Sequence, residues 1–599
     1  MKARPYLTLA AIVLLGALLR FWHLDLKPIW LDEVITALFS LGRNYYEVPL
    51  NEAFSLSALE QIFTLKAETS CAQIAQTIAS QSVHPPLFFC WMHDWLRWVN
   101  AVPLSWLWKL RALPALIGVV AIVALYQLNR LAFSPAAGLT GAMVMAVSPF
   151  AVYLSQEARH YTLPMLLVIL ALTGLYQVQT DLYQRQFRPG IWLGWMVVNS
   201  LGFYIHYFFL LAFCAQVATL LVNVLTFKSL PTLHPNAYRL QPARALIAVT
   251  LATTGVCLTY IPWLPTFLSH INRPETNWMK PFEPDWMDTI APLYQFPMGW
   301  ILMAIALPVE NQPLWLAIVM VLLMIVFTAW LLWQLSSRFG QLWSNPETHL
   351  PTRMLVMFVL CVVLEFLAIV YILGKDITSV PRYNFLYFPA VCALLGACLA
   401  QPSQTRKKGS GDIQMLHAAP HPFLARHLTW IVLFVGVLSS TLVVSNLVFL
   451  KPYQPDQIAS QVRLESDAPL VMGMAYGDLQ DVALGLSIAL ALHDTDDRAD
   501  ESHQFAFIPR VRPAKADSAG TSDRLQTAPS YAQVWQNLAA LKQPLSAPLS
   551  LWMIAPGLKR TDYPPTLSLG HASGAIGCTV DRDRFYRRGI PYQLYRCES

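Results

Sequence analysis

Charge is scarce in this chain. Only 13% of its 599 residues are Asp, Glu, Lys or Arg, and 55% are hydrophobic. An ordinary soluble domain carries roughly 25% charged residues, so a wholly water-soluble protein of this size is excluded. The net charge of +6 invites nucleic acid as a partner. The basic residues nevertheless fall between apolar runs and build no patch, so no nucleic acid is expected. Nine cysteines are present, and their spacing matches no metal-ligand set. Gly-rich phosphate loops and nucleophile elbows are missing as well.

What the chain has instead is long hydrophobic runs, with a mean hydropathy of +0.44. Runs of about 17–25 apolar residues are transmembrane helices. They fall at 5–22, 105–129, 135–154, 160–179, 190–206, 208–227, 244–265, 312–336, 354–373, 383–400 and 428–449, which predicts about eleven spans. No small-x-small cleavage site precedes Trp22, so the first run reads as an uncleaved helix. With the N-terminus inside, segments 1–4, 127–136, 178–190, 227–244, 337–353 and 401–428 hold 14 Lys/Arg against 3 Asp/Glu. The outer segments 23–104, 155–161, 204–208, 266–311 and 374–382 hold 9 against 15. That bias is the positive-inside rule. The run LFFCWMHDWLRWV (87–99) carries Asp94 and Arg97 and places Trp91, Trp95 and Trp98 at helical spacing. It reads as an amphipathic helix at the interface rather than a span.

The expected fold is therefore a polytopic α-helical membrane domain over 1–450, with interfacial helices in its first outer loop 23–104, and a soluble α/β domain over 451–599. In the latter, 469–475, 504–509 and 549–555 read as buried strands of a parallel core, with helices at 478–492 and 531–542. Cys578 and Cys597 flank the last segment; a disulfide between them and two unpaired thiols are both open. Most of the other seven cysteines lie in apolar runs and are read as packing. Eleven spans put this domain outside.

Four polar clusters gather on the outer side: Asp32 and Glu33 in WLDEV, His84 in HPPLFF, Glu157, Arg159, His160 and Tyr161 in SQEARHY, and Arg382 and Tyr383 in VPRYNF, with His206–Tyr207 a smaller apex. Each has an ordinary reading: solvated surface, a helix start, an interfacial anchor. Together they supply carboxylates, cations and aromatics beside the lipid. That mixture suits glycosyl transfer from a lipid phosphate. A carboxylate takes the acceptor's proton, cations stabilise the departing phosphate, and the cleft aligns the two substrates.

WLDEV, HPPLFF, RALPAL (111–116), SQEARHY and PRYNF, in this order, resemble the GT-C glycosyltransferases over roughly residues 5–400. They are most similar to the bacterial relatives of protein O-mannosyltransferases (glycosyltransferase family 39) and to the lipid A aminoarabinose transferase. The resemblance implies an inverting transfer from a polyprenyl-phosphate-linked sugar at the extracytoplasmic face of a bacterial inner membrane. It makes Asp32 the base, with Glu33 beside it, and maps a second acidic position to Glu157. The lysine of the aminoarabinose transferase's Lys-Pro-Pro motif is replaced by His84. Arg159 and Arg382 then carry more of the phosphate, with His160, Tyr161, Tyr207 and Tyr383 lining the site. The acceptor (lipid, glycan or protein) stays open. So does a divalent cation shared by Asp32 and Glu157, for which two carboxylates are a thin shell. Glu365, within a span, stands outside the site. The rival readings are a lipid-linked glycan polymerase or ligase, and a lipid or solute transporter.

Overall fold

The computed structural model describes residues 4–226, 242–271, 273, 286–401, 422–466, 468–494, 503–510 and 531–598. Parts of the charge-bearing segments 227–244, 266–311 and 401–428 lie outside these. The chain forms two compact units. One comprises Met1–Leu26, Val83–Phe88 and Leu104–Leu450, the other Lys27–Ser82, Phe89–Pro103 and Lys451–Ser599. The loop 23–104, placed by sequence with the transmembrane domain, thus contributes most of its residues to the unit that holds the C-terminal domain.

The first unit is helical. Each of the eleven apolar stretches forms helix, but among the described residues seven helices are long and apolar enough to cross a membrane, or eight if the bent pair Pro135–Val147 and Pro149–Ser155 is one span. Arg4–Phe21 and Phe388–Ala400 are shorter apolar helices, and Pro189–Phe203 has 15 residues. Leu87–Trp98 has 12 residues, a length of ~18 Å, too short to span. Trp286–Ala304 is a helix that the sequence reading left inside a loop; it holds Pro292 and Pro297.

The bend in the pair has a local cause. Pro149 has no N–H to give Met145, and the residue before a proline avoids helical geometry. Ser148 is accordingly extended (φ −65°, ψ 125°), and the two segments meet at 60°. The carbonyls left over are taken by the first helix. Arg20 Nη2 donates to Met145 O at 2.9 Å, and Nη1 to Ala146 O at 3.0 Å. Gly118 allows Trp106–Ala132 to approach Pro149–Ser155, since a Cβ there would lie 2.2 Å from Ser155 Oγ. The outer wall of the unit is apolar: Leu314, Trp315, Ile318, Leu322 and Val326 of the Leu314–Ser344 helix are exposed. A surface of that kind is covered by lipid in a multi-pass membrane protein.

The second unit is built on one mixed sheet of seven strands, β1 (Ala53–Ser55), β2 (Leu470–Tyr476), β3 (Gln504–Pro509), β4 (Leu549–Ile554), β5 (Thr566–His571), β6 (Gly574–Arg588) and β7 (Ile590–Cys597), in the order β1-β3-β2-β4-β7-β6-β5. The expected parallel core is present as β3-β2-β4. β5, β6 and β7 extend it as antiparallel strands, and β1, from the segment 23–104, pairs antiparallel with β3. β2 is apolar on both faces because both are covered. Val471 and Ala475 pack with Val534 and Leu538 of the helix Ala532–Ala540. On the opposite face the helix Leu479–Asp494 lies so close that a Cβ on Gly485 would meet Phe507 and Met474. The helix Leu31–Ser40 packs in turn on Leu479–Asp494.

Two disulfides staple this unit. Cys578–Cys597 closes β6 on β7, which resolves that pair as bonded. Cys71–Cys90 joins the helix Cys71–Gln81 to the helix Leu87–Trp98, a pairing the sequence reading does not make. Their 19-residue separation conceals the pairing, because only the fold of the loop brings them together.

Candidate active site

Asp32 and Glu33 stand in the first turn of Leu31–Ser40. The N-cap position is Trp30, which makes no side-chain cap. Carboxylates in the first turn are favoured there by the exposed N–H groups. Neither is solvated surface: Asp32 is 9% exposed and Glu33 1%. Leu31 N–H donates to Tyr453 Oη at 2.8 Å, and Tyr453 Oη lies 2.9 Å from Ser487 Oγ. Burial pushes the Tyr453 phenol above its usual range, and the Asp32 and Glu33 carboxylates add to the effect. Lys451 Nζ sits 4.1 Å from the Trp30 ring centre, a cation–π contact. Asp32 and Glu33 therefore belong to a packed corner of the second unit.

The first unit gathers the other clusters at the ends of its helices. Residues 156–161 form the turn between Pro149–Ser155 and Thr162–Gln184, tied by Gln156 Nε2 to Trp22 O at 2.8 Å. His84 precedes the two prolines; next to them, Leu87 N–H donates to Tyr204 O at 3.1 Å, drawing in the 204–208 turn. Arg382 and Tyr383 lie in the short 3-10 helix Pro381–Leu386, where sequence placed the start of a span.

These segments converge. Arg159 Nη2 lies 3.1 Å from His84 Nε2. A guanidinium has no acceptor, so His84 Nε2 is the acceptor and the ring is neutral there. Arg382 Nε donates to Tyr161 Oη at 3.0 Å. Both guanidinium carbons lie near the Tyr161 ring, at 5.8 Å for Arg159 and 5.9 Å for Arg382. His160 is 4.7 Å from His206 and 5.4 Å from His84, centre to centre. His206 Nδ1 accepts the Phe208 N–H at 3.0 Å, which puts any ring proton on Nε2. Tyr383 flanks Tyr161 at 6.4 Å.

The electrostatics follow from burial. Desolvation holds His160 well below the usual imidazole range, and His206, Arg159, His84 and Arg382 push it further down. His206 is lowered in the same way by burial, then by His84 and Arg159. The fixed positive charge thus resides on the two arginines, and the imidazoles act as neutral hydrogen-bonding groups. His160 Nδ1 is buried and meets no hydrogen-bond partner among the described residues. Glu157 is 2% exposed and its carbonyl accepts the Arg159 N–H at 2.7 Å. Such a set can receive an anion between two guanidiniums and hydrogen-bond to it through Tyr161 and His160.

Tyr207 falls elsewhere. Its hydroxyl lies 2.7 Å from His270 Nδ1 and accepts Trp263 Nε1–H at 3.2 Å. It lines an apolar cavity of about 220 Å³ with Phe203, Leu210, Tyr260 and Phe267. Its neighbour His206 is the one that enters the cluster. The sequence reading named both at one apex and took Tyr207 for the site; the structure brings in His206 instead. Among the described residues no three His, Cys, Asp or Glu converge in a way that could hold a metal ion.

These features describe a multi-pass helical membrane protein with a C-terminal sheet domain. Residues 83–250 match the family described as dolichyl-phosphate-mannose-protein mannosyltransferase, a stretch that includes His84, RALPAL, the 156–161 turn and His206. Among solved structures, ArnT from Cupriavidus metallidurans bound to undecaprenyl phosphate aligns over 99% of this chain and 98% of its own, at 12% identity and a TM-score of 0.50. AglB from Archaeoglobus fulgidus, in complex with an inhibitory peptide and a dolichol-phosphate, aligns over 82% of this chain and 64% of its own, at 12% identity and a TM-score of 0.43; that likeness is too distant to argue from. No curated protein matches the chain in sequence. The resemblance to GT-C glycosyltransferases read from the motifs therefore stands at the level of fold and of a partial family match.

Proposed function

We propose that this protein is a membrane glycosyltransferase that moves a sugar from a polyprenyl-phosphate donor to an acceptor hydroxyl on the extracytoplasmic face. The observation that carries this reading is the convergence of Arg159 and Arg382 on Tyr161, beside imidazoles kept neutral, at the ends of membrane helices. The mannosyltransferase family match and the fold shared with a protein bound to undecaprenyl phosphate support it. Two features support the extracytoplasmic face. One is the charge bias of the loops; the other is the pair of disulfides in the second unit, since such bonds persist on the oxidising side.

In the transfer, the acceptor oxygen bonds to the anomeric carbon as the bond from that carbon to the phosphate oxygen breaks. The electron pair leaves with the phosphate, which gains one negative charge. Arg159 and Arg382 bind that phosphate and stabilise the added charge. Tyr161 and His160 hydrogen-bond to it, and His84 holds Arg159 in place through its neutral Nε2. Tyr383 lines the sugar side. Asp32 takes the acceptor's proton, with Glu33 helping to shape its surroundings. Glu157 orients the acceptor or assists that proton transfer. A single displacement inverts the anomeric configuration. The acceptor is a lipid, glycan or protein hydroxyl. Any divalent cation would be drawn by Asp32 or Glu157 together with substrate oxygens, and the chelator sensitivity of the purified protein reads that directly.

The test is to offer the purified protein a panel of polyprenyl-phosphate sugars labelled in the sugar, mannose among them, with candidate acceptors. Label leaving the lipid in wild type and retained on it with Arg159→Ala supports the reading. Lipid that crosses the bilayer with its label still attached would make the protein a transporter.

A further inference from the structure

The helix that carries Asp32 lacks an ordinary N-cap. Trp30 occupies the cap position with suitable extended geometry (φ −122°, ψ 170°) but offers no oxygen. Ser, Thr, Asp or Asn there would satisfy one of the orphan N–H groups. A different orphan donor of the same turn, the N–H of the first helical residue Leu31, is satisfied from about 420 residues further along the chain: Tyr453 Oη accepts it at 2.8 Å, a sequence separation of 422. The direction of the chain of hydrogen bonds is fixed at its far end. Ser487 Oγ–H donates to Leu484 O at 2.6 Å, so Ser487 Oγ accepts from Tyr453 Oη–H at 2.9 Å. The tyrosine's single proton is committed to Ser487, and its lone pair faces Leu31, one residue before Asp32. Tyr453 is 4% exposed and Ser487 is fully buried, and both belong to the same compact unit as Leu31–Ser40. Phe in place of Tyr453 would fill the same space, so packing alone does not explain the hydroxyl.

We propose that Tyr453, held by Ser487, is a positioning residue for Asp32: it caps the Leu31–Ser40 helix and thereby fixes the first turn on which the carboxylate stands. This rests on the reading of Asp32 as the base. It gives the C-terminal domain a part in catalysis without contact with either substrate.

The experiment uses the full chain in detergent with three variants: Tyr453→Phe, Ser487→Ala and Asp32→Asn. Hydrogen–deuterium exchange at residues 29–36 reads the cap independently of the sugar. In Tyr453→Phe the Leu31 amide is expected to lose protection while peptides of β2 and β4 keep theirs. Turnover is measured with labelled polyprenyl-phosphate mannose or whichever donor of the panel is consumed. Tyr453→Phe is expected to lower kcat by roughly 10- to 100-fold with the donor KM within about twofold of wild type. Ser487→Ala should move kcat the same way by less. The acid limb of the kcat/KM profile, assigned to Asp32, should shift upward in pH, because a frayed first turn stabilises the carboxylate less. A simple loss of folded enzyme would leave that limb where it is. Unchanged exchange at Leu31, or unchanged kcat and acid limb in Tyr453→Phe while Asp32→Asn is inactive, overturns the positioning role and leaves the base reading intact. Full activity in Asp32→Asn overturns the base reading itself, and the exchange data then report the cap alone.

Discussion

Replacing Arg159 by alanine tests the anion site where its geometry is best defined. One of its terminal nitrogens is engaged by His84 at 3.1 Å, and its guanidinium lies 5.8 Å from the Tyr161 ring centre. A guanidinium presents its N–H donors in a planar fork, of which one or two meet a bound phosphate. Hydrogen bonds to charged groups contribute about 1.5–3 kcal/mol each, and His84 Nε2 loses its donor in the variant. The expected loss of transition-state stabilisation is about 2–4 kcal/mol, or roughly 30- to 1,000-fold in kcat/KM. Because the phosphate gains charge as it leaves, most of this should fall on kcat. Arg159→Lys keeps the charge but loses the planar fork, so it should recover part of the rate without reaching wild type. The assay is release of labelled sugar from the lipid at saturating and limiting donor, with circular dichroism to confirm folding. A folded Arg159→Ala variant within threefold of wild type would refute the argument that this guanidinium meets the leaving group.

Further outcomes follow from the same geometry. Tyr161→Phe removes the acceptor of Arg382 Nε and should cost at least about tenfold in kcat/KM, whereas Tyr207→Phe, bonded to His270 and Trp263, should change it little; steady-state kinetics of the pair check this. His160 and His206 are held neutral in the folded protein, below the ordinary value near 6.5. As pH falls below that value the unfolded chain takes up protons that the folded chain refuses, so stability should fall by up to about 1.4 kcal/mol per pH unit per histidine. Thermal unfolding in detergent between pH 7.5 and 5.5 reads this, and His160→Asn should flatten the slope. Each disulfide closes a loop of 19-residue separation, for which chain entropy gives about 3 kcal/mol. Non-reducing peptide maps should recover Cys71–Cys90 and Cys578–Cys597, and the double variant Cys71→Ser/Cys90→Ser should lower the unfolding temperature of the second unit.

The membrane character, the gathering of the 84, 156–161 and 381–386 segments, and the parallel core of β2, β3 and β4 were legible because each rests on local pattern: apolar runs, charge bias, buried strands. The span count was less so. Composition does not reveal that Pro149 breaks 135–154 into two segments, or that Pro381–Leu386 delays the last helices with a 3-10 turn. What was hidden is long-range. β1 joins a sheet whose next strand lies some 400 residues away, Tyr453 caps a helix from a similar distance, and Cys71 reaches Cys90 only once the loop has folded. Antiparallel strands β5–β7 were missed because their alternation is masked by arginines and glycines. Tyr207 was assigned to the site in place of His206 because adjacent residues at a turn point to different neighbours, and only packing selects one.

The most direct measurement of the central claim is the fate of labelled sugar on polyprenyl phosphate given to wild type and to Asp32→Asn in detergent. The account predicts transfer of label to acceptor with inverted anomeric configuration by wild type, and label kept on the lipid by a folded Asp32→Asn protein. Equal transfer by both, or retention of the donor's configuration in the product, would contradict it.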